Sequence, residues 1–231
     1  MKPIADGVWQ LDGFPAHTVN AFFVDGILFD CRTRWAAGGI ARQLRGHRVS
    51  VIALTHAHPD HWGSAAELSA GFGAQVAVHS ADAAIVTTGE MAGTHLAFRL
   101  GKRFMEGGAV REIVELEDGD RVGDFTVLHT PGHSAGHVVY FRESDGLAIT
   151  GDLFSTMDSW SRRLRIAEPP AHLSIDAEQN RRSIQRLVEL QPSLVLPGHG
   201  PALRDMSLLA DFATQAAPAG GITETAASAA G

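Results

Sequence analysis

The apolar and polar positions of this chain fall into short, punctuated runs. Gly7 to Leu11, Val19 to Val24 and Ile27 to Asp30 are apolar or alternating segments of the kind that form strands. Asp25-Gly26, between the last two, is a hairpin signal. Ala36 to Arg45 places Ile40 and Leu44 four apart and predicts a helix. A buried strand at Val49–Leu54 leads to a helix at Ser64–Ala70, which Gly71 and Gly73 close. Gln75 to His79 predicts another strand, and Ser80 is the expected N-cap of a helix beginning at Ala81. Residues 84–108 read as helical with breaks at Gly89, Gly93 and Gly101, a connection packed on the sheet or a lid. Beyond Val110 the pattern returns to strands at Arg111–Leu116, Phe125–His129, His137–Phe141 and Leu147–Thr150.

Asp176 to Leu190 is an amphipathic helix with Ile184, Leu187, Val188 and Leu190 on one face, capped by Ser174 or Asp176. Ser193–Leu196 is a last strand and Arg204–Ala213 a terminal helix. Residues 1–213 are thus expected to form one domain, and residues 214–231, rich in Ala, Gly, Thr and Ser, a disordered tail. Strands with interleaved helices in two successive halves suit an α/β architecture of two packed sheets covered by helices.

Composition narrows the function classes. The 231 residues are 45% apolar, enough for one sizeable core. The net charge of −7 argues against broad electrostatic binding to nucleic acid. A lone cysteine, Cys31, leaves no intramolecular disulfide and reads as a small buried side chain. Met1–Gly7 lacks a signal-peptide core, and no run approaches the roughly 18 apolar residues of a membrane span, so the expected location is cytoplasmic, with no membrane partner.

The chemistry concentrates in Thr55-His56-Ala57-His58-Pro59-Asp60-His61, with three imidazoles and one carboxylate between His56 and His61. These are the usual protein ligands of zinc and similar divalent ions. The run sits at the carboxyl end of a predicted strand, where sites in layered α/β folds lie. Three later fragments repeat the order of apolar strand, glycine and ligand: Pro131-Gly132-His133, Thr150-Gly151-Asp152 and Pro197-Gly198-His199. Glycine there is expected to let the backbone turn and approach an ion. His137 reads as packing or support. His17, His47, His79, His95, His129 and His172 suit ordinary core or surface positions.

These motifs, in this order, resemble the metallo-β-lactamase-fold hydrolase superfamily over about Gly7 to Ala213, and in particular its short glyoxalase-II-like branch. The resemblance implies a four-layer αββα sandwich, with two mixed β-sheets flanked by helices and the site at one edge. It implies two divalent metal ions, zinc first, with manganese or iron as alternatives. By resemblance His56, His58 and His133 hold one ion, Asp60, His61 and His199 the other, and Asp152 bridges them. Asp30 matches an early aspartate that supports the metal loop. A pair of ions about 3.5–4 Å apart lowers the pKa of water from about 15.7 to roughly 7 and polarises a scissile carbonyl. Asp60 is the candidate proton donor to the leaving group. A closed structural site is disfavoured, because such sites ring one ion with four ligands.

The expected reaction is hydrolysis of a small ester-like substrate, thioester first, by a metal-activated hydroxide. Asp152 sets the chain apart from true β-lactamases of the superfamily and groups it with the thioesterase, lactonase and ribonuclease branches. A lactonase is the alternative, although Asp152-Leu153-Phe154-Ser155 lacks the tyrosine that acyl-homoserine lactonases carry there. A second alternative is a persulfide dioxygenase with one iron on His56, His133 and Asp152. A non-catalytic metal-binding protein is a third. Trp160 to Arg165 reads as a solvated basic loop or a reader of a substrate anion. Phe14, His17, Phe154 and Trp160 are candidate pocket walls. The expected partner is a small-molecule substrate, and an exposed apolar face on 84–108 would favour a homodimer.

Overall fold

The computed structural model describes residues 1–13, 15–90, 107–158 and 161–216. Seven strands form the first sheet in chain order: β1 (Lys2–Ala5), β2 (Val8–Gln10), β3 (Phe22–Val24), β4 (Ile27–Phe29), β5 (Val51–Ala53), β6 (Gln75–His79) and β7 (Ile113–Leu116). The first four pair antiparallel, and β4 to β7 pair parallel. Asp25 and Gly26 join β3 to β4 with φ of 49° and 83°, the left-handed pair that a two-residue hairpin turn of matching twist requires. Four helices are interspersed: α1 (Ala37–Gln43), α2 (Pro59–Trp62), α3 (Ala65–Phe72) and α4 (Ser80–Thr88).

The second sheet comprises β8 (Arg121–Val122), β9 (Phe125–His129), β10 (Val138–Arg142), β11 (Leu147–Gly151) and β14 (Leu194–Pro197), in the spatial order β14-β11-β10-β9-β8. Its pairs are antiparallel except β11 with β14. Between them in sequence lie a two-stranded ribbon, β12 (Ser155–Met157) with β13 (Leu164–Ala167), and helix α5 (Ala177–Glu189); α6 (Met206–Ala216) follows β14.

Strand alternation sorts the apolar side chains into three clusters. Val8, Phe22, Val24, Ile27 and Phe29 of the first sheet face Val122, Phe125, Val127, Tyr140 and Ile149 of the second. The Phe29 ring meets Phe125 at 4.8 Å and Tyr140 at 5.1 Å, both edge-on. The opposite face of the first sheet, with Leu28, Ile52, Val76 and Val78, packs on Ile40, Leu68 and Val86 of α1, α3 and α4. The outer face of the second, with Leu128, Val139, Phe141 and Val195, packs on Ile184, Leu187, Leu209 and Ala213 of α5 and α6. Each fully buried side chain of this size contributes roughly 1.5–3 kcal/mol. The result is the expected αββα sandwich with two mixed sheets.

Local departures have local causes. The Val19–Val24 run becomes strand only from Phe22, because Asn20 is committed to the turn at Pro197–Gly200. His79, not Ser80, caps α4, its Nδ1 accepting from Ala81 N at 3.2 Å. Gly71 lies inside α3, and only Gly73, with φ 67°, ends it. Leu190 closes α5 from outside the helix and is exposed. The terminal helix begins at Met206, after Asp205 Oδ1 accepts from Ser207 N, and runs past Ala213 to Ala216. Part of the expected basic loop is strand: Leu164 and Arg165 belong to β13. Of residues 84–108, α4 reaches Thr88 and left-handed Gly89 stops it, while 91–106 lie outside the described residues. The expected tail lies outside them from residue 217 onward. Among the described residues no helix is long and apolar enough to cross a membrane.

Parallel register then builds one edge. Phe29 pairs with Ala53, so Asp30 and the 54–61 loop leave the first sheet side by side. Gly151 pairs with Pro197, so Asp152 and His199 leave the second sheet together.

Candidate metal centre

Asp30, in the left-handed region at φ 55°, turns its carboxylate back under the loop that follows β5. It accepts from Thr55 N and Thr55 Oγ1, both at 2.8 Å, and pairs with His61 Nδ1 at 2.8 Å. Thr55 Oγ1 has given its one proton to Asp30, so it accepts from His56 Nδ1–H, 3.0 Å away. Both histidines therefore carry a proton on Nδ1, which leaves Nε2 as the atom turned toward the site. Pro59 opens α2 at its first position, where a missing N–H costs nothing, and places Asp60 and His61 one turn above His58. Cys31 secures that turn, since its backbone N and its Sγ both donate to His61 O, at 2.7 and 3.1 Å. Burial raises its thiol pKa well above normal, which suits a structural cysteine.

The second sheet supplies the other groups. His133 Nδ1 lies 3.3 Å from Ser174 Oγ. His199 Nδ1 donates to Thr18 O, which again leaves Nε2 turned toward the site. Asn20 fastens the His199 turn: its N donates to Gly198 O, and its Nδ2 to Pro197 O and Gly200 O, at 2.7–2.8 Å. Beneath Asp152 lies the wholly buried His137, whose Nε2 accepts from Asp152 N at 3.1 Å and whose Nδ1 meets Thr130 Oγ1 at 2.9 Å. Burial holds its pKa down to about 3, so it supports the site as a neutral ring.

All seven expected residues converge. Three trios form, His56–His58–His133, Asp60–His61–His199 and His56–His61–Asp152, and within each the ligand atoms lie within 4.8 Å of one another. His56, His58 and His133 meet edge-on with ring centroids 4.5–4.9 Å apart. His56 Nε2, His61 Nε2, His133 Nε2 and Asp152 Oδ1 are buried without a hydrogen-bond partner. His61 Nε2 faces Asp152 Oδ1 at 3.3 Å, and His199 Nε2 faces Asp152 Oδ2 at 3.1 Å and Asp60 Oδ2 at 3.5 Å. With Nδ1 already protonated, each Nε2 meets these carboxylate oxygens either through a second proton or through a cation held between them. Only positive charge between them makes such an arrangement favourable.

The electrostatics agree. Burial opposes charge on His61 and His199, yet Asp152, with Asp30 and Asp60 for His61, raises the His61 pKa well above normal and that of His199 to about 9. Burial also works against ionised Asp152, but His199 and His61 outweigh it and keep the carboxyl well below its usual range. His56 and His133, dominated by burial, are held neutral. One set of three imidazoles and two sets of two imidazoles with a carboxylate, several of their atoms buried without a hydrogen-bond partner, fit divalent cations.

Two glycines are small for reasons other than the expected approach to an ion. A Cβ on Gly198 would overlap Asp152 Oδ1 and come within 2.7 Å of His61 Cε1. One on Gly132, at φ 134°, would press within 2.5 Å of Asn180 Cα in α5. Phe154 is fully buried against Phe212 in the outer core and is not a pocket wall. Phe14 and Trp160 lie outside the described residues. His17 is half-buried, and its carbonyl accepts from Gly200 N. The basic run is structural in part: Arg162 donates to Thr18 Oγ1 and Ala16 O, and Arg165 pairs with Asp158 at 2.8 Å. Sequence reading missed Thr18, Asn20 and Asp82; of its two candidate caps for α5, Ser174 or Asp176, Asp176 is the cap and Ser174 lies against His133.

Comparison with known proteins gives a consistent picture. The family described as the Metallo-beta-lactamase superfamily matches residues 15–199. The chain is 24% identical to the probable metallo-hydrolase YflN of Bacillus subtilis (strain 168), over 87% of each chain. It is 37% identical over 113 residues to a hydroxyacylglutathione hydrolase of Cereibacter sphaeroides, which is 49% of this chain and 37% of that enzyme. Among solved structures, TTHA1623 in a di-iron-bound form superposes with a TM-score of 0.64 at 26% identity, covering 88% of this chain and 91% of that one.

Proposed function

Because this chain belongs to the metallo-beta-lactamase superfamily, whose members are mostly metal-dependent hydrolases, we propose that it hydrolyses the ester-like bond of a small molecule, a thioester first, at a dinuclear metal site. The observation that carries this reading is the convergence of three overlapping ligand trios on buried, unpaired nitrogen and oxygen atoms. His56, His58 and His133 would hold one cation and Asp60, His61 and His199 the other, with Asp152 beside both sets. Bound divalent cations supply Lewis acidity, which makes water a nucleophile at neutral pH and polarises the scissile carbonyl.

The chain's own residues supply the rest. Asp152, kept ionised, offsets the charge of two cations. Asp30, Thr55 and Thr18 fix the Nδ1 proton and aim of His61, His56 and His199, and Ser174 helps aim His133. His56, His61 and His133 are closed off from solvent, whereas His58, Asp60 and His199 are only partly covered. Substrate therefore enters over that second group. Asp60, on this open side and 3.5 Å from His199 Nε2, would take the proton that the attacking water gives up and pass it to the leaving group. The match to a hydroxyacylglutathione hydrolase supports a thioester, with a lactone next. The di-iron form of TTHA1623 supports two ions and admits iron beside zinc or manganese.

The test is metal quantification on protein purified without added metal, followed by a panel of thioesters and lactones. About two ions per chain and thioester turnover are expected. A single iron with oxygen uptake would replace hydrolysis by dioxygenation. A fully loaded protein inert to the whole panel would sink the enzymatic reading.

A further inference from the structure

One buried carboxylate outside the ligand set touches both loops of the first trio. Asp82, in the first turn of α4, is 1% exposed. Its Oδ2 accepts from Ala57 N at 3.0 Å and from Ser134 Oγ at 2.8 Å, and its Oδ1 accepts from Gly136 N at 2.8 Å. Ala57 lies between His56 and His58, and Ser134 follows His133. The contact is close enough to require glycine at 136, where a Cβ would come 2.7 Å from Asp82 Cγ. Among the described residues no lysine or arginine pairs with Asp82; its charge rests on these donors and on the N-terminus of α4. A buried anion without a counter-cation is costly unless its hydrogen bonds are all made. The position is thus tightly determined, and it joins the first sheet's loop to the second sheet's loop.

We propose that Asp82 is the positioning residue of the first trio: it sets the spacing between the His56–His58 loop and the His133 loop, and so sets the affinity for the first ion separately from the second. The proposal rests on the metal reading above. Asp30 is the counterpart elsewhere, gripping Thr55 and His61 and making no bond to the 132–136 loop. Asp82 reaches neither Asp60, His61 nor His199 with a hydrogen bond. Deleting a carboxylate that orients metal ligands typically lowers affinity by about 10- to 100-fold.

Asp82→Asn keeps the shape but replaces one acceptor oxygen with a donor, so whichever way the amide turns, at least one of the three donors loses its partner. The experiment measures stepwise zinc affinities of the apoprotein by competition with a chromophoric chelator, and the visible spectrum of the cobalt(II) form. His58→Ala, which removes a ligand of the first trio alone, and His199→Ala, which removes one of the second alone, identify the constants. The expected result is a drop of about 10- to 100-fold in the constant that His58→Ala abolishes, with the other unchanged. Ser134→Ala, which spares the carboxylate, should shift the same constant by less and serves if Asp82→Asn does not fold. An equal fall in both constants, or unchanged constants with only a lower melting temperature, would reduce Asp82 to a structural residue. Wild-type protein that binds no ion would overturn the metal reading itself, and this proposal with it.

Discussion

Gly198 and Gly132 show how one residue type serves two ends, and substitution separates them. Gly198→Ala drives a methyl into Asp152 and His61, so metal content should fall while the melting temperature of the apoprotein changes little. Gly132→Ala forces a left-handed φ against the backbone of α5, so the apoprotein itself should lose about 1–3 kcal/mol of stability. Melting curves and metal content of both variants, taken side by side, check this. A further residue-scale expectation concerns acid. Arg142 donates to Asp145 at 3.0 and 2.8 Å, and these hydrogen bonds hold the Asp145 pKa below its usual value. A carboxyl depressed in the folded state stabilises at pH above its unfolded value, about 3.9, and that contribution fades as pH falls through the folded value. Asp145→Asn should therefore lower stability at neutral pH and make no difference in strong acid. Because the side chain is 48% exposed, the effect is at most about 1 kcal/mol. Denaturant titrations at both pH values read it.

At the scale of elements, α5 is where the fold meets the site. Asp176 Oδ1 caps it by accepting from Gln179 N at 2.9 Å, while Asp176 N donates to Gly132 O beside His133. Asp176→Ala should cost about 1 kcal/mol, within a range of roughly 0.5–2, in urea unfolding. This helix was legible from its apolar spacing, as were β6 and β9 from their alternation and the β3–β4 turn from Asp-Gly. The strands that escaped, β1, β8, β12 and β13, are two to four residues long, so their partners rather than their own sequence make them strands. The same division runs through the site. The seven candidate ligands could be picked out because each sits in a local motif of strand, turn and donor. Asp82, Thr18 and Asn20 were not, because their hydrogen bonds span 25 to 181 positions and leave no local pattern.

For the molecule as a whole, the three apolar clusters are independent of the ligands, and this predicts how the metal-free protein behaves. Chelation should leave the far-ultraviolet circular dichroism intact and lower the melting temperature, because the stabilisation that bound ions lend the folded chain is then lost. Reloading should restore it, by about 2.7 kcal/mol when free metal stands at 100 times the dissociation constant. A chelated protein that loses its secondary structure would contradict the separation of core from site.

The ligands divide between the two sheets: His56, His58, Asp60 and His61 follow β5, whereas His133, Asp152 and His199 follow β9, β11 and β14. Direct hydrogen bonds join the halves at this edge, among them Tyr140 Oη to Leu54 O at 2.7 Å, Val138 N to Thr55 O at 2.8 Å and those made by Asn20 and Asp82. Cations seated there act as rivets against shear. A substitution far off in the inter-sheet core, such as Phe125→Ala, that lets one half slide would eject the ions before it unfolded the chain, so occupancy becomes a gauge of how the halves are aligned.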